Sequence, residues 1–337
     1  MQDFGVDLNT LEVQAPVDIP DVVSGRILNL DADVSAYHCA YMDISLEACI
    51  NNLKVHIETQ RLMAAATHIN LHLTMGTKGG RSERAEIKEY QENRKERDPL
   101  HQARVRSLRM FMETYSTDVC TPVVNKHQEA DDSLAQYQYA DFENSIIMTI
   151  DKDLDMIPGK HIHPETYDEW YLDPNGDTYG SIWIKEMASG KKVKGQGTAF
   201  FWAQMLMGDS ADNIPGLPRV GARILNKYKP TAAMLKDPTS KAALRAMEKR
   251  KDGLCGAVTA YDILKGAKSD LEAYKIVRDC YKSHYGNSTM ITTWQDERVT
   301  RTVDELIDEQ AFLLWMRRID DPDDWSYFRN TLIGDKK

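Results

Sequence analysis

No run of about 18 apolar residues occurs anywhere in the chain, which excludes a helical membrane span. Cysteine is scarce and scattered: Cys39, Cys49, Cys120, Cys255 and Cys280 form no CxxC pair. That excludes a zinc knuckle and a disulfide framework and points to reduced thiols in a cytoplasmic setting. The N-terminus has no basic, apolar, small-residue leader of the secretory kind. Residues 1–25 contain no base at all, but five acids, Asp3, Asp7, Glu12, Asp18 and Asp21, with Pro16 and Pro20 among them. They are expected to form an acidic flexible tail. Internal repeats and low-complexity segments are also missing.

What is present describes an ordinary globular protein of about two domains. The 337 residues are 42% hydrophobic and 28% charged, with a formal net charge of −10. That sum argues against nucleic acid as a partner until its distribution is examined. Eight acids, Asp31, Glu129, Asp131, Asp132, Asp151, Asp153, Asp209 and Asp212, sit at positions described below. Without them and the tail's five, the rest of the chain carries a net +3. Residues 78–109 alone hold ten bases, among them Lys78, Arg81, Lys88, Arg94, Arg104 and Arg109, with six interleaved acids.

Short apolar runs alternate with helical patterns. Arg26 to Leu30 reads as a strand that ends abruptly in Asp31-Ala32-Asp33, followed by a helical stretch over 35–66. Further strands are expected at Asn70–Met75, Val119–Val124 and Ser145–Ile150, with a helix from Glu129 to Ala140. Val105, Leu108, Met112 and Tyr115 repeat at helical spacing. Residues 161–200 read as irregular or hairpin structure around Pro174-Asn175-Gly176-Asp177, and the chain beyond 200 as mostly helical. Strand and helix in alternation imply parallel crossover units and an α/β sheet, whose ligands lie outside the carboxyl ends of the strands. Asp31 and Asp151 fall there.

The acids are spaced for convergence. Glu129 and Asp132 share a helix face with Asp131 beside them, Asp151 and Asp153 lie on one side of an extended chain, and Asp209 and Asp212 adjoin another helix. A lone DxD or EADD is most often a solvated turn or a helix cap. Asp151-Lys-Asp-Leu-Asp also resembles the start of a calcium loop, but Met156 and Ile162 stand where that loop needs Gly and Glu. Several such groups at strand ends and helix starts are a different matter. Two like charges ~4 Å apart repel by about 4 kcal/mol at an effective dielectric near 20. Cations must hold them or some must be protonated, and hard divalent ions, Mg²⁺ or Mn²⁺, suit an all-oxygen donor set. A pair of such ions is the usual machinery for phosphodiester cleavage.

The most specific segment is Gly208-Asp-Ser-Ala-Asp-Asn-Ile-Pro-Gly-Leu-Pro-Arg-Val-Gly-Ala-Arg-Ile-Leu225. It reads as a helix end carrying two carboxylates, then a tight turn from Gly216 through Val220 to Gly221, then a helix. Backbone N–H groups at such a turn suit a DNA phosphate, and Arg219 and Arg223 add charge. With LDAD, EADD and TIDKDLD in the same order, this segment resembles the flap-endonuclease superfamily, most closely bacteriophage 5′→3′ exonucleases and the 5′-nuclease domain of bacterial DNA polymerase I. The resemblance covers about residues 26–230. It implies a PIN-like α/β nuclease core over 26–200 with a helical arch at about 78–118. A helix-three-turn-helix that grips duplex DNA, often with K⁺, would follow over 201–290, and a helical cap over 291–337. It also implies that two Mg²⁺ are held, one mainly by Asp31, Glu129 and Asp131. The other falls to Asp153, Asp209 and Asp212, with Asp151 between the two and Asp132 close by.

Two positions depart from the family. An acid common after the second strand is replaced in Met75-Gly-Thr77-Lys78, and the gateway's Tyr-Lys-x-Asn-Arg reads Tyr90-Gln91-Glu92-Asn93-Arg94. Arg94 is kept and Tyr90 is expected to stack on a base. Lys88, one helical turn before Gln91, is the candidate to replace the lysine that orients the scissile phosphate. The activity implied is Mg²⁺-dependent 5′→3′ exonuclease or flap-endonuclease cleavage of DNA or of RNA primers on DNA during phage replication. Two other readings are a DNA-binding protein whose chemistry is weakened by Thr77 and Gln91, and a PIN-type ribonuclease. Retention of the acids speaks against the first and the turn from Gly216 to Gly221 against the second.

Overall fold

The computed structural model describes residues 19–94, 98–188, 190–217 and 255–334. Its centre is a six-stranded sheet of β1 (Ile27–Asp31), β2 (His68–Thr74), β3 (Cys120–Asn125), β4 (Ser145–Met148), β5 (Gly159–Ile162) and β6 (Glu169–Leu172). The spatial order is β3-β2-β1-β4-β5-β6; the first five are parallel and β6 runs antiparallel at the edge. After β3 the chain crosses back to place β4 beside β1. A crevice therefore opens at the carboxyl ends of β1 and β4, where the strand order reverses.

The expected helix over 35–66 is two helices, α1 (Ala32–His38) and α2 (Leu46–Met63). Asp31 caps the first and the Ser45 hydroxyl caps the second, so the intervening turn has its own start signal. Together with α4 (Pro99–Met112) they cover one face of the sheet, burying Val105, Leu108 and Met112 on Leu28, Leu30, Ile69 and Leu71. Short α3 (Arg81–Arg84) precedes α4, and α5 (Ala130–Ala140) covers the other face. Under α5 the sheet is polar. Asn70 donates to Asn29 (2.9 Å), His72 Nδ1 lies 2.6 Å from the Ser133 hydroxyl, and Asn125 donates to the same hydroxyl (2.8 Å). Burial depresses the His72 imidazole to about 3. This closed network fixes where the start of α5 stands over β1 and β2.

The strands β7 (Ser181–Met187) and β8 (Gly190–Gln196) form a hairpin. Its turn lies beyond the expected one, because Asp173 to Gly176 instead form a turn after β6. The helix α6 (Thr198–Met207) is buried along almost its whole length. It packs against α7 (Ala257–Leu264), α8 (Asp270–Tyr285) and α9 (Val303–Leu314). An unexpected hairpin, β9 (Ser288–Thr292) with β10 (Arg298–Thr302), interrupts the helices, its residues alternating in exposure as a surface ribbon does. The last helix, α10 (Asp324–Ile333), brings Trp325 onto Trp315 and Phe201, with ring centroids 5.6 and 5.4 Å apart. One apolar cluster runs from α5 through α6 to these C-terminal helices. No helix among the described residues is long and apolar enough to cross a membrane.

Candidate active site

Each acid is delivered to the crevice by a specific piece of backbone. Asp31 ends β1 and caps α1 through Val34 N (3.3 Å), while its other oxygen accepts from the Thr149 hydroxyl beyond β4 (3.0 Å). Glu129 caps α5 in a capping box with Asp132. Asp151 and Asp153 do not lie along an extended chain. Asp151 caps a 3-10 turn over Lys152–Met156 and accepts from Asp153 N (2.9 Å). Asp209 and Asp212 ride the turn after α6, which Asp209 and Ile214 close with two backbone hydrogen bonds of 2.9 and 2.7 Å. The turn depends on glycine at both ends: Gly208 and Gly216 have φ of +69° and +59°, and a Cβ on either would lie 2.2 Å from a backbone atom.

These placements bring seven acids into mutual electrostatic range. Desolvation, then Asp33 and Asp151, push Asp31 up to about 7. Burial, then Asp151, push Asp153 to about 7 against the opposing Lys152. Desolvation followed by Asp151, Asp31 and Glu129 pushes Asp131 well above the usual carboxylate range. Burial also raises Asp151 and Glu129, and Asp212 faces both. Asp155, outside the expected set, is half-buried and raised to about 7 by desolvation and Asp151 against the pull of Lys194.

Asp132 stands apart: it lies beside Glu129, but its carboxylate is already taken up within the protein. Arg81 holds both its oxygens at 2.8 Å, and Arg317 adds its backbone N–H (3.0 Å) and its guanidinium (3.1 Å). Fully buried, Asp132 would be raised by desolvation, but the two arginines bring it down to about 2. No lone pair is left for an ion. Arg81 also reaches Glu129 (2.9 Å) and the Trp315 carbonyl (2.9 Å). Although it is one of the ten bases of residues 78–109, it is 1% exposed. Arg104 and Arg109 are likewise turned inward, onto the Ile44 carbonyl and Asp33.

The gateway residues are also revised. Tyr90 is buried, with its single hydroxyl proton within reach of Glu129 (3.1 Å) and Asp212 (3.3 Å), so its ring is not presented for stacking on a base. Arg94 pairs with Asp212 at 2.5 Å, and Asp212 O accepts from Gln91 N (2.9 Å), so the 85–94 loop docks on the Gly208–Gly216 turn. Lys88 is exposed on a stretch without helix, which removes the one-turn spacing that favoured it. Lys78 instead donates to the Gln91 side-chain amide oxygen, Oε1, and lies over the Tyr90 ring at 5.6 Å. Burial lowers its pKa, against the pull of Glu129 and Asp212. Gly216 is buried and donates its N–H to Gln310 of α9 (3.1 Å), so that N–H is not available to a phosphate. Arg219, Val220, Gly221 and Arg223 lie outside the described residues.

The donor set fits divalent cations: hard carboxylate oxygens, several raised by one another, with Asp131 lacking any hydrogen-bond or ion-pair partner among the described residues. Among those residues no three ligating groups converge closely enough to coordinate an ion. Among the described residues, Glu129, Asp153, Asp209 and Asp212 are paired with the protein's own Arg81, Lys152 and Arg94. Arg81, Arg317, Lys78 and Lys152 are the functional neighbours that pattern reading missed. Only Lys152, inside TIDKDLD, had a local signal.

No family model matches the chain, and no curated protein matches it. Among solved structures, the chain is similar to a bacteriophage T5 flap endonuclease in a pseudo-enzyme–product complex with DNA and metal ions. That match has 12% identity and a TM-score of 0.42, over 86% of this chain and 99% of the other. It is also similar to the bacteriophage T5 5′-exonuclease with zinc ions bound, at 15% identity and a TM-score of 0.42, over 76% and 98%.

Proposed function

We propose that the chain is a divalent-metal-dependent nuclease that hydrolyses phosphodiesters near the 5′ ends of duplex or branched DNA, as an exonuclease or flap endonuclease. The observation that carries this reading is the set of carboxylates Asp31, Asp131 and Asp151, without an ion pair among the described residues and raised by burial and by one another, gathered where the strand order reverses. A fold stabilised for its own sake would not keep them together without a cation. Asp31, Glu129 and Asp131 would hold one Mg²⁺ or Mn²⁺, and Asp153, Asp209 and Asp212 a second, with Asp151 between. Bound there, such ions supply Lewis acidity that eases deprotonation of water and stabilises charge on the leaving oxygen. The chain's own contribution is positioning. Lys78 and Arg94, at the rim beside Asp212, supply N–H donors for the non-bridging oxygens of the scissile phosphate, and hydrolysis leaves a 5′-phosphate and a 3′-hydroxyl. The GDSADNIPGLPRVGA resemblance supports DNA as the substrate, including RNA primers on DNA in phage replication. On this reading Arg219, Val220, Gly221 and Arg223 grip the duplex, with K⁺ at the turn.

The test is cleavage of a 5′-labelled flap and a blunt duplex with Mg²⁺, with EDTA and the Asp153→Ala/Asp209→Ala double variant as controls. Cleavage that needs metal and disappears in the variant supports the reading, and the product ladder separates exonuclease from flap cutting. Tight binding without cleavage, in Mn²⁺ as well, would overturn it in favour of a DNA-binding role.

A further inference from the structure

The two carboxylates at the α6 end of the site are bridged by two donors of different kinds. Gln204, on α6 and fully buried, donates its amide to Asp153 (2.6 Å) and lies 3.4 Å from Asp209. Its Oε1 is buried without a partner among the described residues, and with the whole side chain enclosed the amide has no path to water. Lys152 reaches the same oxygen of each carboxylate, 2.9 Å from Asp153 Oδ1 and in contact with Asp209 Oδ2. Its side chain keeps 36% of its surface exposed, whereas those of Asp153 and Asp209 keep 10% and 4%. An ammonium on a four-carbon stem can withdraw to water by rotating its own side chain; a buried amide on a packed helix cannot.

We propose that Lys152 is an internal counter-ion that occupies the Asp153/Asp209 end of the site in the metal-free chain and must leave before a divalent ion can be bound there. This rests on the metal-dependent reading above and adds to it a competitor for one of the two ions. Gln204 stays behind and keeps the two carboxylates at fixed separation, so the exchange costs the fold little rearrangement. Divalent ions are therefore bound in two classes: a tighter one at Asp31, Glu129 and Asp131, and a weaker one that includes the displacement of Lys152.

Mn²⁺ titration of the full chain without DNA, followed by electron paramagnetic resonance, tests this. The weaker class is identified as the one lost in Asp153→Ala/Asp209→Ala. In Lys152→Met that class is expected to tighten about tenfold, equivalent to about 1.4 kcal/mol, with the tighter class unchanged. Lys152→Arg is expected to bind no better than the parent. Lys152→Gln provides a second neutral variant should the methionine disturb folding, which the thermal transition reports. Equal or weaker binding in the folded neutral variants would overturn the proposal alone and leave Lys152 a structural ion pair. Absence of Mn²⁺ binding in parent and variants would overturn it together with the metal-dependent function.

Discussion

Asp131 and Asp132 are consecutive in the chain, stand in the first turn of the same helix, and have opposite fates. Asp132 is enclosed by Arg81 and Arg317, accepts from four N–H groups of those two residues, and falls to about 2. Asp131 faces Asp151 and Asp31, has no partner among the described residues, and rises well above its ordinary range. Helix geometry explains the split. Neighbouring positions point about 100° apart, so one carboxylate turns into the junction with the C-terminal region and the other into the crevice. The junction is neutralised within the protein; in the crevice Asp131 has no ion-pair partner among the described residues. Carboxylates of equal sequence prominence thus divide into one that fastens the fold and one that, on the proposed function, faces a bound cation.

The sharpest way to break this comparison is to remove each member. Asp132→Ala strands Arg81, and partly Arg317, in the interior. The expected loss is about 3–5 kcal/mol of unfolding free energy, read by denaturant titration. Asp131→Asn is expected to do the reverse of harm to the metal-free fold, raising its melting temperature or leaving it unchanged. Metal-dependent cleavage should meanwhile drop about 10²–10³-fold, the scale for losing one partner of transition-state charge. If both variants destabilise alike, the distinction is wrong. Lys78 lies on the crevice side of the divide. Lys78→Met should slow cleavage about 10–100-fold, as expected for one hydrogen bond to a charged phosphate, whereas Lys88→Ala should cut at the parental rate. The reverse pattern would restore Lys88.

What could be read in the sequence follows the range of the signal. Strands ending in Asp31 and just before Asp151, and the helix starting at Glu129, are local patterns, and the structure realises all three. The compensation of Asp132 was not legible, because Arg317 lies 185 residues away and meets it only through the packing of α9 against α3 and α6. Arg81 misled for the same reason: its neighbours in the chain are surface charges, while its partners are not. At Lys152 the spacing was visible but its geometry was not. An extended chain would send Lys152 to the face opposite Asp151 and Asp153, and the 3-10 turn capped by Asp151 coils it back onto Asp153.

The two fates also predict opposite pH slopes in separate windows. Asp31, Asp153 and Asp155 titrate near 7 in the folded chain but near 3.9 when unfolded. Between those limits the native state binds more protons, so the metal-free protein gains stability as pH falls from 7 toward 4. One proton taken up across one pH unit is worth about 1.4 kcal/mol. Asp132 works the other way: its folded value of about 2 lies below the unfolded one, so its contribution is present above pH 4 and is lost as pH falls toward 2. Thermal melts in EDTA should therefore rise from pH 8 to about pH 5 and then fall. Saturating Mg²⁺ should remove the rise, because a bound cation stabilises the charged carboxylates that protonation otherwise relieves, and should leave the acid limb set by Asp132 in place. A melting profile in EDTA that is flat between pH 8 and 5, or one unaltered by Mg²⁺, would mean that the crevice carboxylates are compensated after all and that Asp131 and Asp132 differ less than their surroundings indicate.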